Sequence, residues 1–271
     1  MVISNEVLQE SARRLLLRAS DSSFLRTRLS GIDVWLPAET ILTMTHCLRI
    51  GETGDILLDI ETPQLEWMSA RLRPGSHFID VGAATGAICL PLAIRFGAGV
   101  KITAFEPAPP ARRLLKAAIK RNRISSIKIL PYACSAAPGR ETIHVFPQDE
   151  TGVTPFLPEV STLAPVTDPR ARPLQVKVTT LDVQFTGLLS RLAGPAVVKI
   201  DVEGLEAKVL AGATRFLREA RPALAIDIHT NPFGDGTTES DVRAILQPLG
   251  YRFGRLPLVN VLVCEPAALN H

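Results

Sequence analysis

The rhythm of apolar and polar positions changes near residue 63. Before it, residues 5–19 repeat apolar positions at helical spacing, with Val7, Leu8, Leu15 and Ala19 able to share one face. Across residues 24–59 the apolar runs are short and broken at Gly31, Pro37, Gly51 and Gly54, which predicts short strands and hairpins. No catalytic constellation falls in this part. Residues 1–62 are therefore expected to be an N-terminal extension that packs on a core or lids it. Beyond Pro63 helical and strand patterns alternate. A helix over 64–72 leads to a strand "HFIDV", a helix over 86–97, a strand "KITAFEP", a helix over 109–121 and a strand "IKILPYA". Pro109 and Pro110 suit the opening of a helix, whereas Pro91 inside one predicts a kink.

Residues 147–175 hold six prolines and no period, which predicts a long loop, either functional or disordered. Order resumes with "VKVTTLD", the strand "AVVKID", a helix over 203–219, the strand "ALAIDIH", a helix over 239–249 and a closing hairpin. Such alternation indicates an α/β domain over residues 63–271, built on a mostly parallel sheet.

Composition narrows the class. With 46% apolar and 21% charged residues the chain can bury a sizeable core, and a net charge of +3 is too small to argue for nucleic acid. The four cysteines (Cys47, Cys89, Cys134, Cys264) form no C-x-x-C pair, so neither a disulfide framework nor a zinc site is indicated, and no metal is assigned. No apolar run reaches the ~18 residues of a membrane span, and the arginine-rich N-terminus lacks a signal-peptide core. A soluble, cytoplasmic protein with reduced thiols is the expectation.

The chemistry-bearing stretch is "HFIDVGAATGAICLPLAI". An acid, Asp80, ends the strand, and Gly82 and Gly86 bracket a turn where a ligand can approach the main chain. Glu106 stands 20 residues beyond Gly86, at the end of the next strand, where a carboxylate can accept both hydroxyls of a ribose. A dinucleotide fingerprint needs a glycine where this chain has Ala84, and Asp80 would face the pyrophosphate. A donor without phosphate, carrying a sulfonium and an ammonium, suits these residues better than NAD. A plain tight turn between strand and helix is the structural alternative.

With "FIDVGAATGA", "ITAFEPAP", "LLKAAIKRN", "ACSAAPGRETIHV", "VKVTTLD", "VVKIDVEGLEAKVLAGA" and "RPALAIDIH" in this order, the chain resembles the FkbM family of methyltransferases over about residues 72–229. The resemblance implies a class I, Rossmann-like fold with a seven-stranded sheet and helices on both faces. It implies S-adenosylmethionine as methyl donor, S-adenosylhomocysteine as product, and a hydroxyl acceptor on a small molecule, natural product or glycan. Asp80, Gly82, Ala84 and Gly86 would then lie around the methionine end, Glu106 at the ribose, and Ala133 and Cys134 beside the adenine.

In that sheet order the strands ending in "KIDVEG" and "DIH" are neighbours, and the first also flanks the glycine-loop strand at the topological switch point, so Asp201 and His229 should open into the donor cleft. Glu203 would begin the following helix, where an acid is also favoured by the macrodipole. Either His229 or Asp201 could serve as base, with Glu203 beside them. If Asp201 is level with His229, Lys199 is level with Asp227, and the two should pair. Between residues 112 and 128 lie seven basic residues and no acidic one. They suit a solvated helix face or the docking of an anionic partner. Few aromatics argue against RNA. An RNA methyltransferase and a non-catalytic cofactor-binding module stand as the alternatives to a small-molecule enzyme.

Overall fold

Apolar pentapeptides too short for helices form the centre of the computed structural model. It describes residues 24–43, 48–50, 56–58, 62–146, 157–162, 172–186, 194–229, 236–257 and 259–267. The helix expected over residues 5–19 lies outside them. In chain order come β1 (Phe24–Leu29), β2 (Ile32–Pro37), α1 (Ala38–Thr43), β3 (Leu48–Ile50), β4 (Ile56–Leu58) and α2 (Thr62–Ser69). The alternating part follows with β5 (His77–Val81), α3 (Cys89–Phe96), β6 (Lys101–Phe105), α4 (Pro109–Arg121) and β7 (Ile127–Leu130). Then come β8 (Ala133–Cys134), β9 (Gly139–Phe146), β10 (Leu157–Thr162), β11 (Arg172–Thr179) and α5 (Leu181–Phe185). The chain closes with β12 (Ala196–Ile200), α6 (Glu206–Ala211), α7 (Thr214–Ala220), β13 (Ala223–Asp227), α8 (Glu239–Leu246), β14 (Tyr251–Arg255) and β15 (Val261–Pro266).

Seven strands make the central sheet, in the order β14-β15-β13-β12-β5-β6-β7. The five from β13 to β7 are parallel, and the β14–β15 hairpin adds an antiparallel edge. Every residue of β5 and β12 is buried, as strands covered on both faces must be. Alternate residues feed two cores: Phe78 packs with Leu90 and Leu92 on one face, and Ile79 and Val81 pack with Phe216 and Leu217 on the other. This is the α/β architecture with a seven-stranded, mostly parallel sheet that the sequence pattern and the resemblance imply.

Local departures have identifiable causes. Helix α3 begins at Cys89 rather than 86, so Pro91 stands in the first turn, where its missing N–H costs no helical bond. The strand expected across "IKILPYA" ends at Leu130. Pro131 cannot donate to a ladder, and the chain turns so that Ala133 and Cys134 pair with β11 in a second sheet, β10-β9-β11-β8. Residues 157–162 and 172–175, read as loop, are strands of that sheet, and the rest of the proline-rich segment lies outside the described residues. The single helix expected over 203–219 is two. Asp182 of "TTLD" accepts the N–H groups of Arg215 (3.1 Å) and Phe216 (2.7 Å), capping α7 as a separate helix.

Part of the N-terminal segment shares the first core: Leu29, Val34 and Leu36 join Phe78 and Leu92. Asn122 accepts the N–H of Trp35 (2.9 Å) and donates to its carbonyl (2.8 Å), while the Arg121 guanidinium lies 4.1 Å from the Trp35 ring centre. Of the seven basic residues, Arg121 is thus engaged in packing, and Arg112 donates to the carbonyls of Glu106 and Pro107.

His77, buried at the start of β5, meets Thr103 Oγ1 through Nε2 (2.8 Å) and stands edge-on to Phe185. Burial, aided by Lys101, lowers its pKa from 6.5 to about 4. The neutral ring is therefore the native form. Its contribution to stability is fully present above 6.5 and is lost as pH falls toward about 4. Between pH 7 and pH 4, urea denaturation should show the wild type losing about 3 kcal/mol more than His77→Gln does. Parallel stability curves for the two proteins would refute the assignment.

Candidate active site

The strand order reverses between β5 and β12, and α/β sheets bind ligands beyond the carboxyl ends at such a point. A cleft opens there. One wall is the turn after β5. Gly82 has φ +80°, and a Cβ on it would sit 1.9 Å from the Asp201 carbonyl oxygen. The turn therefore rests on the main chain at the end of β12, and only glycine allows that approach. Ala84 takes a left-handed φ of +45° and donates its N–H to Glu106 Oε2 (2.9 Å). Glu106 Oε1 accepts the Ala108 N–H (2.7 Å). The buried carboxylate thus ties the turn to the end of β6, and burial raises it to about 7 against the pull of those two amides.

Gly82, Ala84, Glu106, Ala133, Cys134, Asp201, Glu203 and His229 all line the cleft, joined by Tyr132, Ile143 and Lys199. Burial pushes the Cys134 thiol well above its ordinary range, so it is a neutral wall rather than a nucleophile. Two residues expected at the ligand do not line it. Gly86 (φ +99°) faces the side chains of Leu90 and Leu115. Asp80 is fully buried beneath the turn. A carboxylate there needs a countercharge, and Lys199 supplies it.

The expected Lys199–Asp227 pair does not form. The register sets Lys199 opposite Ala225 on β13 and opposite Asp80 on β5. Ile200 faces Ile226, so Asp201 and Asp227 follow side by side at the strand ends. The Lys199 ammonium lies 3.1 Å from Asp201 Oδ2 and 3.5 Å from Asp80 Oδ1, and donates to the Gly82 carbonyl (2.9 Å). One buried cation thereby holds both strand-end acids and the turn. Burial raises Asp80 despite that pairing.

Glu203 also departs from expectation. It has φ +57° in the turn before α6, not in the first helical turn, so the macrodipole does not account for it. Burial raises its carboxyl to about 7, His229 opposes the shift, and Asp201, Glu206 and Asp227 add to it. The first helical turn belongs instead to Glu206, fully buried and absent from the expected set. Its Oε1 accepts the Gly204 N–H (3.0 Å) and lies 3.3 Å from His229 Nδ1, while Asp201 Oδ1 is 3.8 Å from the same nitrogen. His229 is raised to about 9, by the Glu206 hydrogen bond first, against burial and with Glu203, Asp201 and Asp227 adding. Asp227 is raised to about 6, by burial and then by Asp201.

Ligand-type atoms of Asp201, Asp227 and His229 fall within 4.8 Å of one another. Two of the three meet protein groups: the Lys199 ammonium on Asp201, and Glu206 on the ring nitrogen of His229. The cleft therefore pairs a carboxylate beside a glycine turn with a histidine that two acids hold at the opposite strand ends.

A family model described as the methyltransferase FkbM domain matches residues 80–253. No curated protein matches the chain closely enough to count as a relative. Among solved structures, the methyltransferase FkbM from Methylobacillus flagellatus KT is similar at 17% identity and TM-score 0.44, over 96% of this chain and 59% of that one. The chain thus spans 59% of the length of that protein. A SAM dependent methyltransferase from Aquifex aeolicus is similar at 15% identity and TM-score 0.41, over 75% of this chain and 88% of that one. The tRNA (uracil-54, C5)-methyltransferase of Pyrococcus abyssi, in complex with S-adenosyl-L-homocysteine, is similar at 11% identity and TM-score 0.41, over 91% of this chain and 44% of that one.

Proposed function

The chain belongs to the FkbM methyltransferase family, and from that premise we propose that it moves the methyl group of S-adenosylmethionine to a hydroxyl of a small molecule, natural product or glycan. The observation that carries the reading is the state of the glycine turn. The Ala84 N–H, which a dinucleotide would need for its pyrophosphate, is already bonded to Glu106. The opposite wall bears the carboxyl groups of Asp201 and Glu203 beside Lys199 and His229, and offers no second free amide turn of the kind a diphosphate would need among the described residues that line it.

When bound, S-adenosylmethionine supplies an electrophilic methyl group on a cationic sulfur. Glu106 would accept the ribose hydroxyls through lone pairs its two amide bonds leave open. Ala133 and Cys134 would border the adenine, and the turn from Gly82 to Ala84 the methionine end. Asp201 would orient the acceptor hydroxyl or the donor's ammonium. His229 would take the hydroxyl proton as the oxygen–carbon bond forms and the carbon–sulfur bond breaks, with the electron pair leaving on sulfur.

Calorimetry should show binding of both S-adenosylmethionine and S-adenosylhomocysteine. Because a hydrogen bond to a charged group is worth roughly 1.5–3 kcal/mol, Glu106→Ala should weaken each by at least about tenfold. Binding of NADH with no heat from either adenosyl ligand would overturn the donor assignment. Mass spectrometry of products that places the new methyl on nitrogen would overturn the hydroxyl assignment.

A further inference from the structure

We infer that Glu206 is the positioning residue of a Glu206–His229 dyad, holding the proton on Nδ1 so that Nε2 is the nitrogen that receives the acceptor's proton. The inference rests on the proposed methyl transfer for its chemical use, but not for its geometry.

Glu206 is a costly residue to place where it is. Its side chain is fully buried, Oε1 takes the Gly204 N–H at 3.0 Å, and Oε2 is buried without a hydrogen-bond partner. A carboxylate so enclosed needs a positive charge or a strong donor within reach. The nearest is His229 Nδ1, 3.3 Å from Oε1. The surrounding backbone is built to hold that approach. Glu203 and Gly204 take successive positive φ angles (+57° and +100°), turning the chain back between β12 and α6. Thr237 Oγ1 then donates to the Gly204 carbonyl (2.9 Å) and accepts the Ala207 N–H (3.1 Å), fastening the start of α6 to the segment before α8.

Other charged groups face the same ring. Asp201, itself paired with Lys199, comes from the end of β12, Glu203 from the turn, and Asp227 from the histidine's own strand. Glu206 differs from the other acids in being fully buried, and its ion-pair partner among the described residues is His229. A neutral imidazole with Nδ1–H directed at Glu206 carries its lone pair on Nε2. On taking a proton the ring becomes a cation facing a buried anion, which stabilises the charge that transfer creates. The acid acts through the histidine.

Nitrogen-15 NMR of the full-length protein labelled at its histidine side chains tests this without reference to catalysis. Neutral His229 should show the Nδ1–H tautomer, and an Nε2–H tautomer would overturn the proposal, with no variant required. In Glu206→Gln the His229 titration should move down by about 1–3 units, the range expected when an adjacent opposite charge is lost. Glu206→Asp should restore most of it. In kcat/KM the rising limb should move to lower pH by the same amount in Glu206→Gln. A folded Glu206→Gln protein whose His229 titrates as in the wild type would refute the dyad. Correct tautomer and titration shifts in a protein with no methyl-transfer activity would instead leave the dyad standing and fail the functional reading.

Discussion

His229→Ala should lower turnover by about 10²–10⁴, the usual worth of general-base catalysis, with donor affinity nearly unchanged. An alcohol is a weak nucleophile at neutral pH, and methyl transfer to it gains from a group that accepts the proton as the bond forms. The sign of the pH dependence follows from the site. Glu206 and its neighbours raise His229 to about 9, so the ring is protonated, and idle as a base, below that value. Wild-type kcat/KM should therefore rise with pH toward about 9 rather than level off near neutrality. Glutamine at position 229 can donate a hydrogen bond but accepts no proton at these pH values. His229→Gln should thus fall nearly as far as alanine and lose the rising limb. Near-normal turnover in His229→Gln, with no inflection, would transfer the base role to Asp201.

The largest expected loss of stability is at Lys199. Its ammonium lies between Asp80 and Asp201 with little of either Lys199 or Asp80 exposed. Removing one partner of a buried pair usually costs about 3–5 kcal/mol, because the other charge is left without compensation. Lys199→Met should show a loss of that order by urea denaturation at neutral pH. Asp80 would then favour its protonated form more strongly than before. Its folded pKa, already raised from the ordinary 3.8, moves higher still, so the deficit from Asp80 is absent below the wild-type folded pKa and grows as pH rises above it. Adding Asp80→Asn should recover much of the stability. A deficit independent of pH, or a double variant no better than the single, would show that Lys199 acts by packing.

Much of the fold was legible in the apolar pattern, and the reason is the environment of each strand. Strands buried on both faces, such as His77–Val81 and Ala196–Ile200, read as unbroken apolar runs between turn residues. The second sheet was less legible. Its strands are short or mixed, and prolines obscure their period; the third strand of the main sheet was read through Pro131, which could have marked its end. The Lys199 pairing failed for a sharper reason. Side chains alternate with period two, so a slip of two residues returns every side chain to the same face. The register that pairs Lys199 with Asp227 and the one that sets it opposite Ala225 have the same hydrophobic pattern. Only the neighbouring Asp80 and Gly82 distinguish them, and these lie more than a hundred positions away. Glu206 escaped notice because an acid opening a helix has an ordinary explanation in the helix dipole. Burial, which the sequence does not display, separates the two cases.

The contact between the Gly82 turn and the Asp201 carbonyl also bears on which sequences this fold can explore. A side chain added at Gly86 would meet Leu90 and Leu115, whose side chains a second mutation could shorten, leaving the backbone angle as the residual obstacle. A side chain added at Gly82 would meet a main-chain oxygen, an atom that every amino acid carries. No replacement at position 201 removes it. Gly82 is therefore closed to compensation. Lineages that diversify their acceptors around this cleft can redraw its walls, but they must inherit that one crossing of backbones intact.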